Sequence, residues 1–212
     1  MKVYGEIIFS CIYLIYGLII SIYIFYKGKN KLTKLLSYSS LILIIGDSFH
    51  LIPRILNYLI EYDFNTYIGI GKLITSITMT LFYIILYYIY LKNYDVKENK
   101  LITIFISLLG IIRILLCLMP NNNWINNNSP LDWQIYRNIP FLILGFIIMY
   151  LFYKKRNNNN TFKYIWFYIS LSFMFYIPVV LGSSNYPIIG MLMIPKTICY
   201  MLILYTFKNK VK

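Results

Sequence analysis

An acid, an imidazole and a guanidinium stand close together in an otherwise apolar stretch of this sequence. In GDSFHLIPR, residues 46–54, the side chains of Asp47, His50 and Arg54 are spaced i, i+3 and i+7. On an α-helix that spacing places all three on one face. A carboxyl group and an imidazole can move protons near neutral pH, and a guanidinium binds phosphate or carboxylate oxygens. The stretch therefore predicts a helix face for acid–base chemistry, for anion binding, or for both.

Further basic residues interrupt other apolar segments. They are Lys72, Arg113, Arg137 and Lys196. Ser76 follows Lys72 at i+4, and Tyr200 follows Lys196 at i+4, so each pair shares a helix face. Together with Arg54, these side chains are the candidates for holding an anionic substrate.

The elements that carry these residues are seven apolar runs. The chain is 59% hydrophobic, and each run of about 20 residues is long enough to cross a hydrocarbon core of ~30 Å. The runs cover residues 3–26, 35–60, 67–91, 101–119, 135–153, 162–181 and 186–207. A spanning backbone must satisfy its own hydrogen bonds. We therefore predict an all-α, polytopic membrane protein in which residues 1–212 form one seven-helix domain.

The basic residues outside these runs predict the orientation. Fourteen of the 20 lysines and arginines lie in alternate connections, at 27–34, 91–100, 154–163 and 208–212. The connections between them, at 61–66, 120–134 and 182–187, have none. By the positive-inside rule the N-terminus lies outside and the C-terminus inside, as expected in a plasma membrane. The net charge of +13 is thus explained by topology, and we predict no nucleic-acid partner.

Depth in the bilayer separates the charged residues into two groups. In this orientation Arg54, Lys72, Arg113 and Arg137 all lie in the outer half of the bundle, where snorkelling to the interface would explain each one alone. Asp47 and Lys196 are placed near the middle of helices 2 and 7, ~15 Å from the ends. A charge at that depth costs roughly 2.5–3.5 kcal/mol. The alternatives are an ion pair that locks the two helices together, and a pair that lines a functional site.

These positions predict one cationic cavity that opens toward the outer side. Its ligand would be an anionic small molecule or the head group of a membrane phospholipid. One His and one Asp are too few ligands for a metal, and Cys11, Cys117 and Cys199 have no metal-binding spacing. We therefore expect no metal and no cofactor.

GDSFHLIPR also resembles a motif of the YhhN family of lysoplasmalogenase-like membrane proteins. The family carries Gly-Asp followed by apolar residues, sometimes ending in Leu-Pro-Arg, then a Gly on the next helix with a Ser five residues later. The matching positions are Gly46, Asp47, Leu51, Pro53, Arg54, Gly71 and Ser76. The resemblance implies hydrolysis of the vinyl ether of a single-chain phospholipid, with Asp47 as one acid–base group. The region of the family's second acid holds Ser170 and Ser172 without an acid. The family supplies no replacement; in this chain we take His50 as the second acid–base candidate, because an imidazole can move protons near neutral pH.

Three functions follow from these observations. The first is a lysoplasmalogenase-like hydrolase, in which Asp47 and His50 are catalytic. The second is a non-enzymatic binder or transporter of a small organic anion or lipid. Pro53 and Pro195 predict kinks in helices 2 and 7, and kinked helices around a midplane site are typical of transporters. The third is a photoreceptor in which Lys196 forms a Schiff base, although no other rhodopsin-like motif accompanies it.

Overall fold

The structure, a computed structural model, describes residues 2–183 and 186–211. These residues form seven α-helices, and no strand occurs among them. The helices are α1 (Lys2–Lys27), α2 (Lys31–Leu59), α3 (Asn65–Asn93), α4 (Lys100–Leu118), α5 (Leu131–Lys154), α6 (Ile165–Gly182) and α7 (Met193–Val211). Two short 3₁₀ segments, Pro120–Asn122 and Pro187–Leu192, precede α5 and α7. The prediction of an all-α chain with seven helices is confirmed.

All seven helices are long and apolar enough to cross a membrane. The first six begin and end within four residues of the predicted bounds. Large apolar side chains cover the outward surface of α4, where Ile104, Leu108 and Ile111 are half exposed or more. Such an apolar exterior fits a multi-pass membrane protein. The orientation of the bundle remains a prediction.

The start of α7 differs from the prediction. The sequence placed Lys196 at the middle of a helix over 186–207, but α7 begins at Met193, so Lys196 lies in its first turn. Pro195 explains the change, because a proline fits the first turn of a helix, where its missing N–H has no intrahelical partner. The chain before it winds instead as the 3₁₀ segment Pro187–Leu192.

The helices close into a ring in chain order, with α1 packed against α7. α3 also contacts α5 across the ring. The most extensive packing joins α2 and α3. There, a side chain at Gly46 would overlap Thr78, and one at Gly71 would overlap the backbone of Phe49. Glycine at these two positions lets the helices approach closely, as small residues do in membrane bundles.

The two halves of the bundle are filled differently. The half nearer the lysine-rich connections is a packed core, in which Tyr87, Phe152 and Phe207 are almost completely buried. The other half, at the ends that bear the connections without basic residues, encloses a cavity. One half of the bundle is therefore a packed apolar core, and the other half contains a polar cavity.

Candidate functional site

The cavity has a volume of about 480 Å³ and is lined by residues from all seven helices. That volume lies within the usual range of small-molecule pockets, ~300–1,000 Å³. Every predicted site residue lies on its wall: Asp47, His50, Arg54, Lys72, Ser76, Arg113, Arg137, Lys196 and Tyr200. The packing of the helices thus brings together residues that are spread over 154 positions of the sequence.

The predicted helix face of α2 points into this cavity, and each of its three polar side chains has a partner from another helix. The carboxylate of Asp47 accepts a hydrogen bond of 2.5 Å from the Tyr13 hydroxyl of α1. The guanidinium of Arg54 forms a salt bridge of 2.6 Å with Glu6, also of α1. α1 therefore supplies both partners of the charged residues on this face.

His50 is held by α3 in one orientation. Its Nδ1 lies 2.9 Å from the Thr75 hydroxyl oxygen, and that hydroxyl donates its only hydrogen to the Gly46 carbonyl, at 2.8 Å. The Thr75 oxygen must therefore accept from Nδ1–H. In the neutral imidazole this assignment leaves Nε2 as a free hydrogen-bond acceptor.

The bases near the mouth of the cavity bind the asparagine-rich connection between α4 and α5. Lys72 donates to the side-chain oxygen of Asn127 at 2.6 Å. Arg137 donates to the side-chain oxygen of Asn122 at 2.6 Å, and its guanidinium lies 4.3 Å from the ring centre of Trp124. Charge-assisted hydrogen bonds of this kind satisfy part of each cation.

Two cations deeper in the cavity pack against aromatic rings instead. The Arg113 guanidinium lies 3.4 Å from the ring centre of Phe141, and the Lys196 ammonium lies 4.2 Å from that of Tyr176. Arg113 is only 2% exposed, yet its Nε and Nη1 have no hydrogen-bond partner among residues 2–183 and 186–211. Cation–π contacts attract these charges but satisfy none of the N–H groups of Arg113.

The ion pair of Asp47 with Lys196, one of the two alternatives drawn from the sequence, is not formed directly. Among the described residues, no salt bridge joins Asp47 to Lys196 or to Arg54, which pairs with Glu6. Asp47 accepts a hydrogen bond from Tyr13, and the Lys196 ammonium lies against the ring of Tyr176. Asp47 and Lys196 nevertheless line the same cavity.

Tyr200 lies at the floor of the cavity and is buried. Its hydroxyl is 3.3 Å from the hydroxyl of Tyr83, a fully buried residue of the core below. Ser76, by contrast, donates to the Lys72 carbonyl of its own helix at 2.8 Å. These two positions shape the wall, whereas the cations give it its charge.

Sequence reasoning missed several residues of the site. They are Glu6, Tyr13, Thr75, Asn122, Asn127 and Tyr176. One signal was present for Glu6, since it is an acid inside an apolar run, near its end. Tyr13 and Tyr176 are two of 23 tyrosines, and nothing in their spacing distinguishes them from the rest.

The fold and the site together define a seven-helix protein of the multi-pass membrane type with a cationic internal cavity. Formally, the wall holds five bases against two acids, Glu6 and Asp47. Comparison of the chain with protein-family models, with curated proteins and with solved structures finds no match.

Proposed function

We propose that this protein binds the phosphate-bearing head group of a membrane lipid in its cationic cavity. One observation carries the proposal: five helices each contribute one base to the same wall, and one of the two acids there is already paired with Arg54. Such an excess of positive charge attracts an anion, and lysines and arginines are the side chains that commonly bind phosphate.

The position of Arg113 separates this proposal from snorkelling. A snorkelling side chain carries its charge to the interface, where water satisfies it. Arg113 instead is buried, and two of its donor nitrogens have no partner within the part of the chain that the structure describes. Buried donors without partners are costly and rare in folded proteins. A bound anion would supply the missing acceptors.

The rest of the wall suits an amphiphile better than a free inorganic ion. Phe9, Leu51 and Val179 line the cavity beside the charged groups. A lipid can place its head group against the bases and its chain against such residues. In the predicted orientation the cavity opens on the outer side of the plasma membrane, so the ligand would come from the outer leaflet.

A binding site is favoured over a path across the bundle. The lining residues come from the hollow half, and Tyr200 with Tyr83 closes the floor above the packed core. A transporter in this conformation would expose its site to one side only. The structure therefore supports binding of a ligand from one side more directly than transport.

Hydrolysis of the bound lipid is the second candidate, and the fixed His50 favours it. A base held by a neighbouring group, with one nitrogen free, is the usual arrangement for proton transfer. In a vinyl-ether substrate, as the YhhN resemblance implies, a protonated Asp47 would donate its proton to the alkene carbon. Water activated by His50 would add to the resulting cation. In the hemiacetal so formed, the bond to the glycerol oxygen breaks, the hydroxyl loses its proton and the glycerol oxygen takes one up, which releases an aldehyde and a glycerophosphodiester. The proton taken by His50 returns to Asp47 through the cavity, so the cycle balances.

Lipid retention by the purified protein tests the proposal. Native mass spectrometry should detect a phospholipid on the wild type that is lost as the salt concentration rises, because part of the affinity is Coulombic. Lys196→Met should weaken retention about 10- to 100-fold, which corresponds to ~1.5–3 kcal/mol for a charged contact. Lys92→Met removes the same charge at an exposed position of α3 outside the cavity and should leave retention unchanged. Equal retention by all three proteins would refute the proposal.

A further inference from the structure

We propose that the lipid enters the cavity sideways, between α5 and α6, and that its single alkyl chain stays in an apolar groove there. This inference rests on the proposed function. It adds the route by which that ligand arrives and the place where its alkyl chain is held.

The groove lies on the surface of the bundle where α5 and α6 pack together. Its volume is about 80 Å³. Apolar side chains form most of its wall: Ile135, Ile139, Leu142, Ile177, Val180 and Leu181. A space this small is well below the ~300 Å³ of the smallest usual ligand pockets. It therefore fits a segment of one alkyl chain, and neither a head group nor two chains side by side.

The groove and the cationic cavity share part of their walls. Asn138, Tyr176 and Val180 line both. The Tyr176 hydroxyl donates to the Asn138 side-chain oxygen at 2.8 Å, so this hydrogen bond lies at the boundary between the two spaces. A molecule that occupies both must pass this boundary.

The charges on the cavity side of the boundary match a phosphate group. Lys196 lies against the ring of Tyr176, at 4.2 Å. Arg113 lies against Phe141, whose ring packs edge-on against Tyr176 with 6.0 Å between centres. A chain in the groove would thus leave its head group beside Lys196 and the unpaired donors of Arg113.

One backbone hydrogen bond is missing in α6, the helix that carries Tyr176. Pro178, two residues further on, lies inside α6. It removes the backbone donor that the Met174 carbonyl would otherwise accept from, and it loosens the helix locally. A small outward movement of this turn would break the Tyr176–Asn138 hydrogen bond and open the boundary.

Filling the groove tests the inference. Leu142→Trp should obstruct the chain, and Leu108→Trp places the same residue on the half-exposed surface of α4 as a control. Calorimetric titration in nanodiscs would compare a long-chain lysophosphatidylglycerol with glycerol 3-phosphate, which has no chain. We expect Leu142→Trp to weaken lysolipid binding about tenfold, the effect of displacing two methylenes from an apolar site. Its affinity for glycerol 3-phosphate, and both affinities of Leu108→Trp, should match the wild type.

Each other result has a definite meaning. Unchanged lysolipid affinity in Leu142→Trp overturns the groove while leaving head-group binding intact. If Leu142→Trp loses both probes, Ile139→Trp decides, because its side chain is already 47% exposed and can accept a larger ring. The inference survives if Ile139→Trp loses only the lysolipid, and it fails if both probes are lost again or neither is. A wild type that binds neither probe overturns the proposed function itself.

Discussion

Replacing Arg113 by methionine is expected to stabilise the empty protein while it weakens ligand binding. Arg113 is 2% exposed, and among the described residues its Nε and Nη1 have no hydrogen-bond partner. A methionine side chain of similar length fills irregular apolar space and brings no polar group with it. The substitution therefore removes a cost that the unliganded protein bears for its binding site.

The size of the effect follows from two opposed contributions. Each buried donor without a partner costs about 1–3 kcal/mol, so two cost roughly 2–6 kcal/mol. Loss of the contact between Arg113 and the Phe141 ring offsets up to about 2 kcal/mol of that gain. We expect a net rise of about 2 kcal/mol, which for a chain of this size raises the unfolding midpoint by roughly 4–8 °C.

The assay is thermal unfolding of delipidated protein in one detergent, followed by circular dichroism. Delipidation matters because a bound ligand stabilises the folded wild type and would mask the difference. Arg137→Met is the matched control: the same substitution removes a guanidinium that donates to Asn122 at 2.6 Å. Asn122 is completely buried, so it would be left with an unpaired oxygen, and the midpoint should fall, by about 1–3 kcal/mol.

A fall in the midpoint of Arg113→Met, similar to that of Arg137→Met, would refute the reasoning. It would show that the Arg113 donors are satisfied in the empty protein. The same proteins, purified without delipidation, give the second half of the prediction, since Arg113→Met should retain at least tenfold less phospholipid than the wild type. Higher stability with unchanged retention would mean that Arg113 faces the cavity without contacting the ligand.

Three further outcomes are expected. Tyr13→Phe should lower the free energy of unfolding by about 1.5–3 kcal/mol, the value of a hydrogen bond to a charged group, and the loss should disappear in an Asp47→Ala background; an equal loss there would show that the two residues act separately. Gly71→Leu should destabilise the protein by more than ~3 kcal/mol, because its side chain would overlap the backbone of α2; Gly5→Leu, where no atom lies within 4 Å, should not. In a cysteine-free background, a cysteine introduced between α2 and α3 should react with an impermeant reagent from outside and one between α1 and α2 should not; the opposite labelling would invert the predicted orientation.

The helices were predictable because their cause is local. An apolar run of sufficient length forms a helix in a membrane whatever its neighbours are, so six of the seven helices begin and end near their predicted bounds. The start of α7 was not predictable, because hydropathy alone does not distinguish a 3₁₀ segment from an α-helix. Pro187 and Pro195 were visible in the sequence, and reading Pro195 as a first-turn residue would have corrected the position of Lys196.

The candidate site was predictable only in part. Asp47, His50 and Arg54 share a helix face by spacing alone, and the remaining bases were conspicuous against apolar surroundings. The hydrogen-bond partners of these residues were not predictable, because a hydrogen bond between distant helices depends on how those helices pack. Tyr13 lies 34 positions from Asp47, and Asn127 lies 55 from Lys72. An ion pair of Asp47 was therefore predicted where the fold provides a hydroxyl donor from α1.

The arrangement of partners around the bases argues for a deep anion site in particular. If all five bases served only to hold the helices together, each would be expected to have an acceptor from the chain. Arg54, Lys72 and Arg137 do have one, and these three lie toward the mouth, where water is also near. At Arg113 the chain provides an aromatic face and leaves two donors unpaired. Because the cost of an unpaired donor grows with burial, the most buried of the five bases is the one that most needs an acceptor, and its Nε and Nη1 have none among the described residues. That inversion is expected where a bound ligand supplies the acceptor, and it favours the proposed phosphate between Arg113 and Lys196, away from the mouth.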